Sequence, residues 1–163
     1  MKVIFLDIDG VLNCDKTPNP RNLPYIVDKK LLARLCKLLQ RTKAKVVLTS
    51  SWRIDPVGLF AARHWKVPFM DVCPDMPERP RCEEICAWLK GHPSVTRYVV
   101  IDDDDDALDN LPLFQPSGRT GLTPEIMRAV ERYLSGKSNE TARAGPLKRF
   151  VQNAEALFHR NKS

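Results

Sequence analysis

Two short apolar runs constrain this chain more than anything else in it. Val3-Ile4-Phe5-Leu6 passes directly into Asp7-Ile8-Asp9-Gly10, and Tyr98-Val99-Val100-Ile101 passes directly into five consecutive aspartates, Asp102 to Asp106. Apolar runs this short and unbroken read as strands covered on both faces, the usual situation of strands in a parallel sheet. Ligands of such sheets bind at the carboxyl ends of the strands. Each run therefore delivers a group of carboxylates to the edge where a ligand would sit. Carboxylates crowded together repel one another unless a cation neutralises them, and hard oxygen donors suit Mg²⁺. A metal site is the first expectation.

The rest of the chain supplies the matching elements. Lys45-Val46-Val47-Leu48 is a further strand, ending in Thr49-Ser50-Ser51-Trp52-Arg53. Shorter strands are expected at residues 67–73 and 112–115. Leu31, Leu32, Leu35, Leu38 and Leu39 recur with helical period, which predicts a helix over 28–41. Asp55-Pro56 and Thr123-Pro124-Glu125 each place a capping side chain before a proline, the pattern of a helix start. The second of these helices should run to about Leu134. Cys82, Ile85, Cys86 and Leu89 mark another amphipathic helix. Strands alternating with helices imply an α/β fold: a Rossmann-like, mostly parallel sheet with helices on both faces. The segment 13–24 holds Pro18, Pro20 and Pro24 and cannot form a regular element.

With 163 residues the chain is large enough for a real core. Residues 1–134 form the expected domain, 135–145 a polar linker, and 146–163 a C-terminal amphipathic helix. The apolar stripe of that helix, Leu147, Phe150, Val151, Leu157 and Phe158, is expected to dock on the domain or on a protein partner. No apolar stretch approaches the ~20 residues needed to cross a bilayer, and the opening run meets Asp7 too soon for a signal peptide. The five cysteines show no metal-ligand spacing, so a reducing, cytoplasmic setting without a membrane is expected. The net charge of +6 is concentrated late: six basic against two acidic residues from Ser135 onward contribute +4 of it. Such a tail can attract nucleic acid, or it can be a solvated helix face.

Three strand tips thus converge: Asp7 and Asp9, Thr49 and Ser50, Asp102 and Asp103. Residues i and i+2 of a strand point the same way, so Asp7 and Asp9 can face one ligand. The hydroxyls can bond a phosphate oxygen, and an arginine (Arg53, Arg79 or Arg81) can neutralise its charge. Together they provide the parts for phosphoryl transfer: a nucleophile, an acid/base, a metal and a charge clamp. Asn13 is a candidate substrate-binding residue or a turn-shaping one. Trp52 is expected to pack in the core rather than to stack on a base.

The chain resembles the haloacid dehalogenase (HAD) superfamily of phosphatases over residues 1 to about 134. Asp7-Ile8-Asp9-Gly10-Val11-Leu12, Val46-Val47-Leu48-Thr49-Ser50 and Ile101-Asp102-Asp103 resemble its first, second and fourth motifs. More narrowly, Leu-Asp-Ile-Asp-Gly-Val-Leu-Asn, Thr-Ser-Ser-Trp-Arg and Val-Val-Ile-Asp-Asp look like a small branch of HAD domains associated with RNA-repair proteins. The resemblance implies that Asp7 is the nucleophile and becomes an aspartyl-phosphate, and that Asp9 is the acid/base. It implies that Mg²⁺ is held by Asp7, the Asp9 backbone carbonyl, and Asp103 or Asp102. Thr49, or Ser50 in the competing register, would bind the transferring phosphoryl group. The family often has a lysine as its third motif; no lysine lies between Lys66 and Lys90, and Arg81, with Arg79 second, is the substitute. Asp104 to Asp106 exceed what the family uses.

Neither of the intervals in which family members carry cap domains is long enough to hold one here, so the site is expected to be open. The expected function is a Mg²⁺-dependent phosphomonoesterase acting on a nucleic-acid terminal phosphate or a nucleotide. A phosphoprotein or small-metabolite phosphatase is the alternative within the class. Outside it stand a non-catalytic HAD-like binding module and a receiver-like signalling domain, whose acidic residues follow different strands.

Overall fold

The computed structural model describes residues 1–105, 107–108 and 110–137. The C-terminal helix expected at 146–163, and all of the linker beyond Lys137, lie outside the described residues. Five parallel strands form one sheet: β1 (Lys2–Leu6), β2 (Lys45–Leu48), β3 (Asp71–Val72), β4 (Arg97–Ile101) and β5 (Leu113–Phe114). Their spatial order is β3-β2-β1-β4-β5, with the chain moving outward from β1 to one edge and then returning to the other side of it. That reversal makes the β1/β4 boundary a topological switch point, where α/β sheets open a crevice.

Among the described residues four α-helices cover the sheet: α1 (Lys29–Thr42), α2 (Pro56–His64), α3 (Arg81–Lys90) and α4 (Pro124–Ser135). Alternation along each strand decides which helix it meets. Ile4, Leu6, Val46, Leu48, Val99 and Ile101 face α1, α2 and α4, whose contributions include Leu31, Leu35, Ala62, Met127 and Val130. Val3, Phe5, Val47, Tyr98 and Val100 point the other way, onto Ile85 and Trp88 of α3. The strands are thus covered on both sides, as their unbroken apolar composition requires.

The helix starts follow their caps. The Asp28 carboxylate accepts from the Lys30 and Leu31 amides, Asp55 from Val57, and Thr123 from Ile126. Helix α4 ends at Ser135, one residue past the expected boundary, with Gly136 in the left-handed region (φ +77°). Helix α3 begins after Pro80 without a side-chain cap. A 3-10 turn, Ser51–Arg53, joins β2 to α2. Gly58 lets α2 sit on that turn, since a Cβ there would meet the Trp52 carbonyl oxygen at 2.8 Å.

The register of the three central strands positions the site. Leu6 pairs with Leu48 on one side and with Ile101 on the other. The ladder continues one step further, with Asp7 N donating to Ile101 O (3.0 Å) and Thr49 N to Leu6 O (2.9 Å). Asp7, Thr49 and Asp102 are therefore each the first residue beyond a strand, side by side at one sheet edge, with Asp7 in the middle. Among the described residues no interval holds a cap domain; residues 13–24 form turns and irregular backbone.

Candidate active site

The centre of the site is an acidic cluster. One carboxylate oxygen from each of Asp7, Asp102 and Asp103 lies within 4.8 Å of the others. Asp7 is 6% exposed and Asp102 fully buried. Burial, then the charge of Asp102, pushes the Asp7 carboxyl up to about 7, against the opposing pull of Arg81, the Ser50 hydroxyl and the Ile8 amide. Burial likewise raises Asp102, with Arg81 opposing it, and raises Asp103. Three acids held close at such a cost in ionisation are what a divalent cation would relieve. The donor set also fits one, being hard oxygens that converge from two adjacent strand tips. Asp7, Asp102 and Asp103 are the side chains that would hold Mg²⁺.

Two glycines make room for this cluster. At Gly10, with φ +65°, a Cβ would fall 2.0 Å from an Asp103 carboxylate oxygen; at Gly118 it would come within 3.2 Å of the same atom. The loop carrying Gly118 is tied to the loop after β1 by Asp15 N donating to Gly118 O. Gln115 Nε2 donates to the Asp103 carbonyl (2.9 Å), which steadies the backbone behind that carboxylate.

The surroundings of Asp9 differ from those of the cluster, although its charge is felt by Asp103. Asp9 is exposed, and both its oxygens carry protein donors. Trp52 Nε1 donates to Oδ2 (2.8 Å) and Asn13 Nδ2 to Oδ1 (2.7 Å). The two carboxylates of the D-x-D pair thus have different surroundings: one is enclosed among acids, the other open to solvent and held by neutral N–H groups.

On the other side of Asp7, Thr49 is fully buried. Its hydroxyl is the buried side-chain polar atom left without a hydrogen-bond partner among the described residues. Such a group ordinarily has one, and at this sheet edge the Thr49 hydroxyl is available to bond a ligand. Ser50, also buried, is used differently: its hydroxyl caps the 3-10 turn by accepting from Trp52 N (3.4 Å) and lies against Asp7.

The arginines divide as well. Arg81, in the first turn of α3, forms an ion pair with Asp102, whose other oxygen accepts from Asp104 N at 3.0 Å. It thereby brings a positive charge into the cluster. Arg79 remains on the surface, paired with Glu83 at 3.3 Å. Arg53, a candidate substrate ligand from the sequence, is enclosed instead. Its guanidinium donates to the carbonyls of Thr49, Ser50 (3.0 Å) and Cys73 (3.2 Å) and to Glu84 (2.5 Å), with only 5% of the side chain exposed. It braces the backbone beneath Thr49 and Ser50. Asp104 and Asp105 are exposed, and Asp106 lies outside the described residues.

Sequence reasoning missed the partners of these groups. Glu84 gave one signal, an acid beside Ile85 and near Trp88 on the buried face of α3, where a charge needs a partner. Trp52 packs in the core, 1% exposed, as its composition suggests; no pattern announces that its indole N–H points at Asp9. Gln115 and Gly118 carry no signal, because their relation to Asp103 exists only in three dimensions.

A family model described as "HAD domain in Swiss Army Knife RNA repair proteins" matches residues 3–127. No curated protein matches the chain. No helix among the described residues is long and apolar enough to cross a membrane.

Proposed function

The chain belongs to the family of HAD domains in Swiss Army Knife RNA repair proteins, and from that premise we propose that it is a Mg²⁺-dependent phosphomonoesterase working through an aspartyl-phosphate. The observation that carries the reading is the contrast between the two carboxylates of Asp7-Ile8-Asp9. Asp7 is buried beside the unpartnered Thr49 hydroxyl, in a place where an anionic phosphoryl group could be received. Asp9 is exposed and oriented, as a proton carrier facing a leaving group must be.

In the first step an Asp7 carboxylate oxygen attacks phosphorus. The ester P–O bond breaks as the Asp9 carboxyl proton passes to the departing oxygen. In the second, water attacks the aspartyl-phosphate, its proton returns to Asp9, and Asp7 is released with inorganic phosphate. The Thr49 hydroxyl bonds a phosphoryl oxygen throughout. Arg81 offsets the negative charge of the cluster and keeps the Asp102 carboxylate in place. When bound among Asp7, Asp102 and Asp103, Mg²⁺ supplies charge neutralisation that lets an anionic nucleophile meet an anionic ester.

The proposed substrate is a phosphate at a nucleic-acid end, or a nucleotide. Support comes from the family, from the absence of a cap interval, and from the basic balance after Ser135, which can hold a polyanion. The test is phosphate release from 5′- and 3′-phosphorylated oligonucleotides, nucleotides, phosphopeptides and sugar phosphates, each with Mg²⁺ and with chelator. Mg²⁺-dependent release that favours the oligonucleotide ends is expected. Release from none of them would overturn the enzymatic reading, and preference for phosphopeptides or sugar phosphates would overturn the substrate.

A further inference from the structure

An exposed aspartate at a strand tip ordinarily samples several rotamers, and Asp9 is exposed. Here each of its oxygens meets a donor that is itself fixed. The Trp52 indole is almost fully buried, packed in the core that includes Leu48 and Ala62. Its ring is held edge-to-face by Tyr25, with centroids 4.9 Å apart. The Tyr25 hydroxyl donates to Asp55, the residue that caps α2. Asn13 is anchored on three sides: its side-chain oxygen accepts from Gly10 N (2.9 Å), and Nδ2 donates to Asp9 and to Ile26 O (3.0 Å). One N–H on each oxygen fixes both the direction of the Asp9 side chain and the plane of its carboxyl group.

A carboxylate has about four lone-pair sites, so two donors leave one site open on each oxygen. That is room for the proton that an acid/base residue must carry. The arrangement orients Asp9 without taking the place of its proton. We propose that Trp52 and Asn13 are positioning residues for Asp9, holding its carboxyl group in line with the leaving oxygen and with the water that later replaces it. Tyr25 supports Trp52 from behind. This inference rests on the reading of Asp9 as the acid/base of a phosphomonoesterase.

A misplacement of about 1 Å in a catalytic group can cost on the order of 100-fold. The loss should fall where protonation of the leaving group matters. An alkyl phosphate has a basic leaving oxygen that needs a proton; 4-nitrophenyl phosphate releases a stable anion and needs little help. Trp52→Phe keeps an aromatic ring in the core and removes the indole N–H together with the five-membered part of the ring. Asn13→Ala, at a half-exposed loop position, is the second variant, and it keeps the inference testable if the core substitution does not fold. With Mg²⁺, kcat/KM for an alkyl phosphate such as a nucleoside 5′-monophosphate should fall by about 100-fold in either variant, whereas that for 4-nitrophenyl phosphate should fall by less than about tenfold. Equal losses on the two esters, or no loss on the alkyl ester, in a folded variant would overturn the positioning role while leaving the phosphatase reading intact. Wild-type protein inert on both esters, or an Asp7→Asn variant as active as wild type, would remove that reading and this inference with it.

Discussion

Arg53 and Glu84 meet at 2.5 Å with their side chains only 5% and 8% exposed, and they join the backbone beneath Thr49 to the helix that carries Arg81. Glu84 also accepts from the Met76 amide (3.2 Å), which ties the loop before α3 into the same assembly. A buried pair of this kind is costly to break one partner at a time, because the other charge is left without compensation. Arg53→Ala or Glu84→Ala should each destabilise the protein by about 3–5 kcal/mol, whereas replacing both with apolar side chains of similar volume should cost much less than the sum. Chemical denaturation of the two single variants and the double variant measures this. A loss below about 1 kcal/mol in either single variant would mean that the pair is not the brace described.

The role proposed for Asp7 is separable from the fold. Asp7→Asn keeps the shape but removes the attacking anion, so turnover should fall by several orders of magnitude. The metal-free variant should be more stable than wild type at pH 8, because it removes a charge that burial, and then repulsion with Asp102, disfavours. Steady-state kinetics and a melting curve on the same preparation check both halves.

The cluster also sets a pH dependence. The Asp7 carboxyl is raised from 3.8 to about 7 in the folded protein, so between those values the folded state binds more protons than the unfolded chain. Metal-free stability should therefore decline as pH rises from about 4 to about 7 and level off above, by a few kcal/mol in all. Asp102 and Asp103, also raised, act in the same direction. Mg²⁺ competes with those protons, so its stabilising effect should be larger at pH 8 than at pH 5. Melting temperatures over this range, with Mg²⁺ and with chelator, test the sign; a metal-free protein that gains stability towards pH 7 would contradict it.

Gly10 offers the sharpest test of the proposed metal site. An alanine there combines strain at φ +65° with a Cβ that overlaps the Asp103 carboxylate. Gly10→Ala should cost about 1–3 kcal/mol of stability and abolish the Mg²⁺-induced melting shift, because Asp103 must swing away. Gly118→Ala, where the contact is 3.2 Å and no positive φ is involved, should weaken the shift without abolishing it. Thermal melts against Mg²⁺ concentration compare the two.

Much of this was legible in the sequence because strands covered on both faces leave a continuous apolar signature. Val3–Leu6, Val46–Leu48 and Tyr98–Ile101 were readable, and with them the edge that gathers Asp7, Thr49 and Asp102. The proline-led helix starts at Asp55 and Thr123 were readable for the same reason: caps act over three residues. What escaped were relations between distant segments. Arg53 looks in sequence like a cation available for phosphate, and only the position of α3 supplies Glu84 to enclose it. Trp52 and Asn13 are 39 residues apart in the numbering, and nothing local says that both end on Asp9.

The register at the sheet edge has a consequence for how such a protein can change. Neighbouring strands are held about 4.8 Å apart by their backbone hydrogen bonds, so the lateral interval from Thr49 to Asp7 to Asp102 is a gauge set by the main chain. Side-chain repacking beneath it cannot widen or narrow that gauge, and only a slip of a whole strand would. Loops such as 13–24 are free of that constraint. The fold therefore divides into a fixed measure along the sheet edge and a variable frame around it, and under the proposed function new substrates can be gained by exchanging the frame without recalibrating the measure.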